Sequence, residues 1–358
     1  MIFAGRGAAL LVALACAASV SAQGRLVLRH SEPPPGGAIL EVSTQGVLVG
    51  SNASSVLVPW ADVLEVEGVP NKIDARFAEI ADLAWRAPLR LARGDTVTAE
   101  PMFERLLVLL DDADGPTTEA ALRGLTRCQL ARGARDLAII TWSRWVDALS
   151  HEDSPPVYSA GRSIPGESAP GTDQWLRAEL APFWPASNEP SLLATIEPPS
   201  DDSRVGLLLG WFRSSARLAA GLSPQFPEAS STDSAVLLVR DLALAQSGQA
   251  DLARSARGRL LAQLESNTPS DWSNAWIHAA VGRSLTAERD ESQRELGVVH
   301  LLHLPAQWSA VTPSLAKLAL ADAAATLESM GDQDGRDALL AELRRHQLAS
   351  HSPQEPLP

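Results

Sequence analysis

The stretch "LARGDTVTAEPMFERLL", Leu91–Leu107, decides how this chain is to be read. Thirty-nine residues on, "LARGARDLAIITWSRWV" runs from Leu130 to Val146. Each begins as the end of one helix, stops at a glycine (Gly94, Gly133), and restarts as a second helix. Five residues after each glycine stands a small residue, Ala99 or Ala138, and four later a bulky aromatic, Phe103 or Trp142. Spacing of four puts both on one helix face. The small residue lets two antiparallel helices approach, and the aromatic fills the groove one turn below.

Working outward, the same punctuation returns. Gly248 and Ala287 are 39 residues apart, and Gly331 follows 44 later. A fixed period of this size with two helices per unit is the mark of a helical solenoid. On these residues the chain resembles the tetratricopeptide repeat family. In the third unit Gly248 is followed by Ala253. In the fourth, Trp276 and Ala280 fall where that family keeps its first-helix Trp and small residue, with Ser292 and Leu296 in the second helix. The chain departs from the family in three ways. Its period exceeds the usual ~34 residues, Arg257 replaces the third aromatic, and Arg336 replaces the fifth small residue. The expected fold is mainly α: tetratricopeptide-like antiparallel helix pairs, in a solenoid or compact bundle, preceded by a small all-β module.

That module is read over 23–70. "RLVLRH", "AILEVST", "GVLVGS", "SVLVPW" and "DVLEVEG" are short β-branched runs separated by Pro, Gly and Ser breaks. "ILEVSTQGVLVG" predicts a hairpin turning at Gln45-Gly46. "VPWADVLEVEG" resembles the closing segment of small SH3-like or Sm-like barrels. Helical block 1 spans 71–150. In it, "TTEAALRGLTRCQLARG" is expected to open on a Thr cap, and Pro101 to sit in the first turns of its helix. Residues 151–200 hold nine prolines and form a Pro/Gly-rich strap. Its segment "QWLRAELAPFW", with Trp175, Leu176, Leu180, Phe183 and Trp184, predicts a short helix laid across the helical body. Helical block 2 follows at 201–348 and a flexible tail at 349–358.

The first 22 residues read as a signal peptide. Arg6 precedes the apolar run Ala8–Ala18, and Val20 and Ala22 are small residues before a cut. Export to a periplasmic or secreted location is expected, with an outer-membrane lipoprotein through Cys16 the less favoured route, because Ala13 stands where a bulky aliphatic is preferred. Cys128 would then be the remaining cysteine and is read as a buried structural thiol. No later apolar run has transmembrane length. The net charge of −13 argues against nucleic acid as a partner; with only two lysines, Lys72 and Lys317, nearly all the positive charge is arginine, which reads as the codon bias of a GC-rich genome.

The search for chemistry is short. His300 and His303 in "HLLH" share a helix face near Glu295, but zinc needs further ligands and no "HExxH" or cysteine cluster exists. "GDQDGRD", Gly331–Asp337, lacks the Glu that a calcium loop places twelfth, and is read as a turn. "GLLLG", Gly206–Gly210, suits close helix packing. No nucleophile elbow is present. No catalytic residue, metal ligand or cofactor is therefore assigned.

The family resemblance implies a scaffold that binds a protein or peptide along the face of its first helices. Carried over by position, that face holds Arg123, Arg127, Asn274, Ser284 and Glu328. Ala84, Ala120, Leu238, Leu242, Ile277 and Val281 make it largely apolar. It is either an open groove or filled by the strap, and the filled form is preferred. The expected function is a non-catalytic interaction protein of the bacterial cell envelope. The alternative is an enzyme or small-ligand protein with its site between strap and helices, using His278 or His300 with an acid.

Overall fold

The computed structural model describes residues 24–30, 33–51, 54–68, 75–111, 113–149, 176–185, 190–197, 203–266 and 271–349. The signal peptide with Cys16, the strap up to Trp175, and all but the first residue of the tail lie outside them. Among the described residues no helix is long and apolar enough to cross a membrane.

Five strands come first: β1 (Arg25–Leu28), β2 (Ala38–Ser43), β3 (Gly46–Ser51), β4 (Ser54–Pro59) and β5 (Val63–Glu67). β2, β3 and β4 form one antiparallel meander, and β1 pairs with β5 in a second antiparallel sheet. Alternation drives this, since Val47 and Val49 of β3 point inward while Leu48 between them is half-buried. The hairpin is closed by Thr44 and Gln45, one position earlier than expected, because Ser43 pairs with Gly46. Gly46 is needed at that pairing. A Cβ there would lie 2.1 Å from the Val58 carbonyl oxygen.

Among the described residues twelve α-helices follow: α1 (Ala75–Ala92), α2 (Thr96–Leu110), α3 (Pro116–Ala131), α4 (Arg135–Leu149), α5 (Leu192–Thr195), α6 (Arg204–Ala219), α7 (Ser234–Ala245), α8 (Ala250–Ser266), α9 (Ser273–Thr286), α10 (Glu291–Gln307), α11 (Pro313–Met330) and α12 (Gln333–Ala349). They pack as neighbouring pairs, and the first helices of successive pairs also touch: α1 on α3, α7 on α9, α9 on α11. The turn glycines 94, 133, 248 and 331 all take left-handed conformations after α1, α3, α7 and α11. Ala287 ends α9 in a right-handed conformation instead, so the fourth turn is built differently.

The packing pattern holds in the first two pairs. Ala99, Phe103, Ala138 and Trp142 are all buried. Phe103 lies against Gly124 of α3, where an added Cβ would come within 2.2 Å of its ring. The register slips in the later pairs. In α8 the small and bulky residues that are buried are Ala256 and Leu260, with Ala253 half-buried. In α10 they are Gly297 and Leu301, whereas Ser292 and Leu296 are exposed. Gly297 closes on the Gly282 carbonyl oxygen of α9, 2.9 Å from where its Cβ would be. Trp276 and Ala280 of α9 are fully buried. α2 starts at Thr96 on an Asp95 cap, which puts Pro101 in its second turn, within the first turns as expected.

Two cores result. One joins the β module to α1, α2 and one side of α3, with Val47, Trp60, Ile80, Phe103 and Leu125. The other joins the opposite side of α3, through Leu122, to α4, the strap and α6–α11. The β module is therefore built into the first helical block. Its anchor is Gln45, whose side chain reaches the start of α3. Its Oε1 accepts from the Thr117 and Thr118 amides at 3.1 Å each, and its Nε2 donates to the Ala113 carbonyl and the Thr118 hydroxyl at 2.8 Å each. The expected Thr cap is absent. Gly115 precedes the helix without a capping side chain, and Gln45 supplies the acceptor from 72 residues away.

Candidate functional site

The strap residues 176–185 lie against α4, α9 and α11. A short 3-10 turn covers Ala178–Leu180, and Leu176, Leu180, Phe183 and Trp184 are buried with the helices. Their backbone carbonyls are held one by one. The Trp276 indole N–H donates to Ala178 O at 3.1 Å. Arg135 Nη1 donates to Phe183 O, and Arg283 Nη2 to Trp184 O at 3.0 Å. The Arg135 guanidinium also sits 4.5 Å over the Trp184 ring, and that of Arg283 5.5 Å over the Phe183 ring. Asp136 closes the set, accepting from the Trp184 indole at 3.0 Å and from the Leu193 amide at 3.1 Å.

Two clefts flank Phe183 and Trp184. The first, of about 480 Å³, is lined by Trp184 and by polar groups of α9, α11 and the α7 end, among them Gln246, Arg283, Ser284, Glu288 and Asp322. Its charges are matched internally. Arg283 donates to Asp322 at 2.6 Å and to Gln246 at 3.2 Å, while Arg257 donates to Ser284 and Glu288 at 3.1 Å each. Burial pushes the Asp322 carboxyl up, and the Arg283 charge opposes it. The second cleft, of about 360 Å³, lies on the Phe183 side, between the strap, α4, α11 and α12.

The face expected to bind a partner is not an open groove. Asn274 and Ser284 are buried, as are Ala84, Leu238, Leu242, Ile277 and Val281. Arg123, Arg127 and Ala120 are half-buried on α3, and Glu328 is exposed but paired with Arg336 at 3.0 Å. Comparison with known protein families, curated proteins and solved structures finds no match.

The histidines converge further than the sequence indicated. His278 of α9 meets both His300 and His303 of α10. Its Nδ1 is 3.0 Å from His300 Nδ1, its ring is 4.5 Å from that of His303, and the Trp308 ring lies tilted beside it at 5.5 Å. One imidazole must donate and the other accept. Among the described residues no group of three or more His, Cys, Asp or Glu side chains is arranged to hold a metal ion. Burial first, then His300 and His303, hold His278 down to about 3. Its unfolded value is near ~6.5, so the unfolded chain binds the extra proton and stability is lost as pH falls from about 6.5 toward 3. The thermal midpoint is expected to drop over this range more steeply than in His278→Phe. Equal slopes would show that the cluster carries no such linkage.

Cys128 is fully buried, and burial pushes its thiol up to about 11. It is not poised as a nucleophile. The clefts themselves were invisible in the sequence. Phe183 and Trp184 could be named as groove-fillers, but nothing local links Arg135, Arg283 or Asp322 to them.

Proposed function

We propose that this protein is an exported, non-catalytic scaffold of tetratricopeptide-like helix pairs that binds a protein or peptide partner. One observation carries the reading. The helical body already holds a segment of the chain, residues 176–185, by side-chain donors on α4 and α9 aimed at its backbone carbonyls. Helical repeats form extended binding surfaces, and here such a surface is used in cis. The partner's place is then the first cleft, whose polar groups border the occupied face. Its ion pairs are satisfied, which suits recognition better than proton transfer.

The test is affinity capture from the envelope fraction of the source cell, using the full chain and Ala253→Trp, which fills the first cleft without touching its charges. One partner retained in stoichiometric amount by the wild type and lost by the variant supports the reading. A chain that stays alone, or a partner retained equally by both, counts against it. The second reading, a small-ligand protein with its site between strap and helices, is favoured by the two clefts that flank Phe183 and Trp184.

A further inference from the structure

We propose that the cleft behind Phe183 binds a small amphipathic monocarboxylate, with the Arg135 guanidinium as its anion receptor. The inference develops the small-ligand reading and is independent of the scaffold reading.

Arg135 is the observation that needs a ligand. It stands at the first position of α4, the positive end of the helix, where a cation is electrostatically disfavoured. Its Nη1 is committed to Phe183 O, yet its Nη2 is buried and has no hydrogen-bond partner. Asp136 opposes the effect of burial through space, but among the described residues no carboxylate is bonded to it. The oxygens of neighbouring Asp136 accept from Trp184 and Leu193, and Arg283, the next cation, is bonded to Asp322. A buried guanidinium with an idle donor is costly unless something pairs with it. Burial accordingly lowers its affinity for its own proton, to about 10.

Arg135 lines the second cleft, and the rest of that cleft describes the ligand. Ala181, Phe183, Leu315, Leu318, Ala321 and Leu343 give it apolar walls. Lys317, one of the two lysines in the chain, also lines the cleft but has a partner of its own, and the exposed Glu179 carries an opposing charge at the rim. A volume of about 360 Å³ is at the small end of the ligand-pocket range. Phosphate esters would want many donors, and these walls provide few. One carboxylate oxygen can accept a charge-assisted bond from the idle Nη2, and an apolar tail suits the remaining surface.

Calorimetric titration of the full chain with octanoate, 1-octanol and octylamine tests this. Octanoate is expected to bind with 1:1 stoichiometry, at least tenfold tighter than the alcohol or the amine. Arg135→Met should weaken octanoate at least tenfold. Because that change also removes the bond to Phe183 O and can disturb the strap, Ala321→Trp provides a second route. It blocks the cleft, leaves Arg135 in place, and should abolish octanoate binding. Equal affinity for octanoate and octanol, octanoate binding unchanged by Ala321→Trp, or no octanoate binding at millimolar concentration would overturn the proposal. None of these results depends on a protein partner, so failure here leaves the scaffold reading untouched.

Discussion

Trp276→Ala is expected to destabilise the protein by about 3–5 kcal/mol, the range for emptying a large aromatic site in a core. The indole is fully buried and meets Trp272 edge-on at 4.9 Å. Its N–H also holds Ala178 O of the strap at 3.1 Å. Truncation therefore creates a cavity in α9 and leaves a carbonyl without its donor. Trp276→Phe separates the two contributions. It keeps most of the apolar volume and loses the hydrogen bond, so about 1–2 kcal/mol is expected from the unpaired group and the smaller ring. Urea unfolding provides the measurement, with the midpoint moving and the slope constant. A loss below about 1 kcal/mol in the alanine variant would mean that the strap is not supported from α9. Limited proteolysis should report the same event locally, with faster cleavage between residues 176 and 185 in the alanine variant.

The second large effect is expected at Gln45. Gln45→Ala removes one side chain that serves four partners across the joint between the β module and α3. The Thr117 and Thr118 amides lose their acceptor, in a place where a helix start needs one. Cap loss costs about 0.5–2 kcal/mol, and each buried group left unsatisfied adds about 1–3 kcal/mol before relaxation. A total near 2–4 kcal/mol is expected. Gln45→Glu keeps an acceptor and puts a negative charge at the helix start, which is favourable, but loses both donated bonds. It should fall between wild type and alanine. Amide exchange at Thr117 and Thr118 checks the mechanism: both should exchange faster in Gln45→Ala while α9 amides do not change. Uniform acceleration along the chain would mean general destabilisation rather than loss of a cap.

How far the sequence reaches is seen by comparing α2 with α8. The Ala99–Phe103 pair was legible because both residues act within one helix face, and a stop at Gly94 set their phase. In α8 the same count from Gly248 pointed to Ala253, whereas Ala256 and Leu260 carry the packing. The buried stripe there is set by how α8 lies on α7 and α9, and a chain of many alanines and leucines offers several phases of nearly equal merit. α10 failed for the same reason. Gly297 was chosen by the close approach to Gly282, which is a property of two helices together.

The candidate site was less legible still. "HLLH" disclosed His300 and His303, but His278 joins them only because α9 and α10 run antiparallel. Nothing local marks Arg135, which stands beside Asp136 in the first turn of its helix. Its significance depends on Phe183 O lying within reach and on its Nη2 being buried without a partner.

The sequence by itself determined the helix pairs, their turns and the β-rich start, because period, glycine placement and β-branching act over a few residues. The tertiary structure alone decided three things: the cap that Gln45 lends to α3, the meeting of three histidines, and the two clefts flanking Phe183 and Trp184. Each joins groups separated by 22 to 99 residues. No local pattern encodes such partners, since their contact depends on the path of the whole chain.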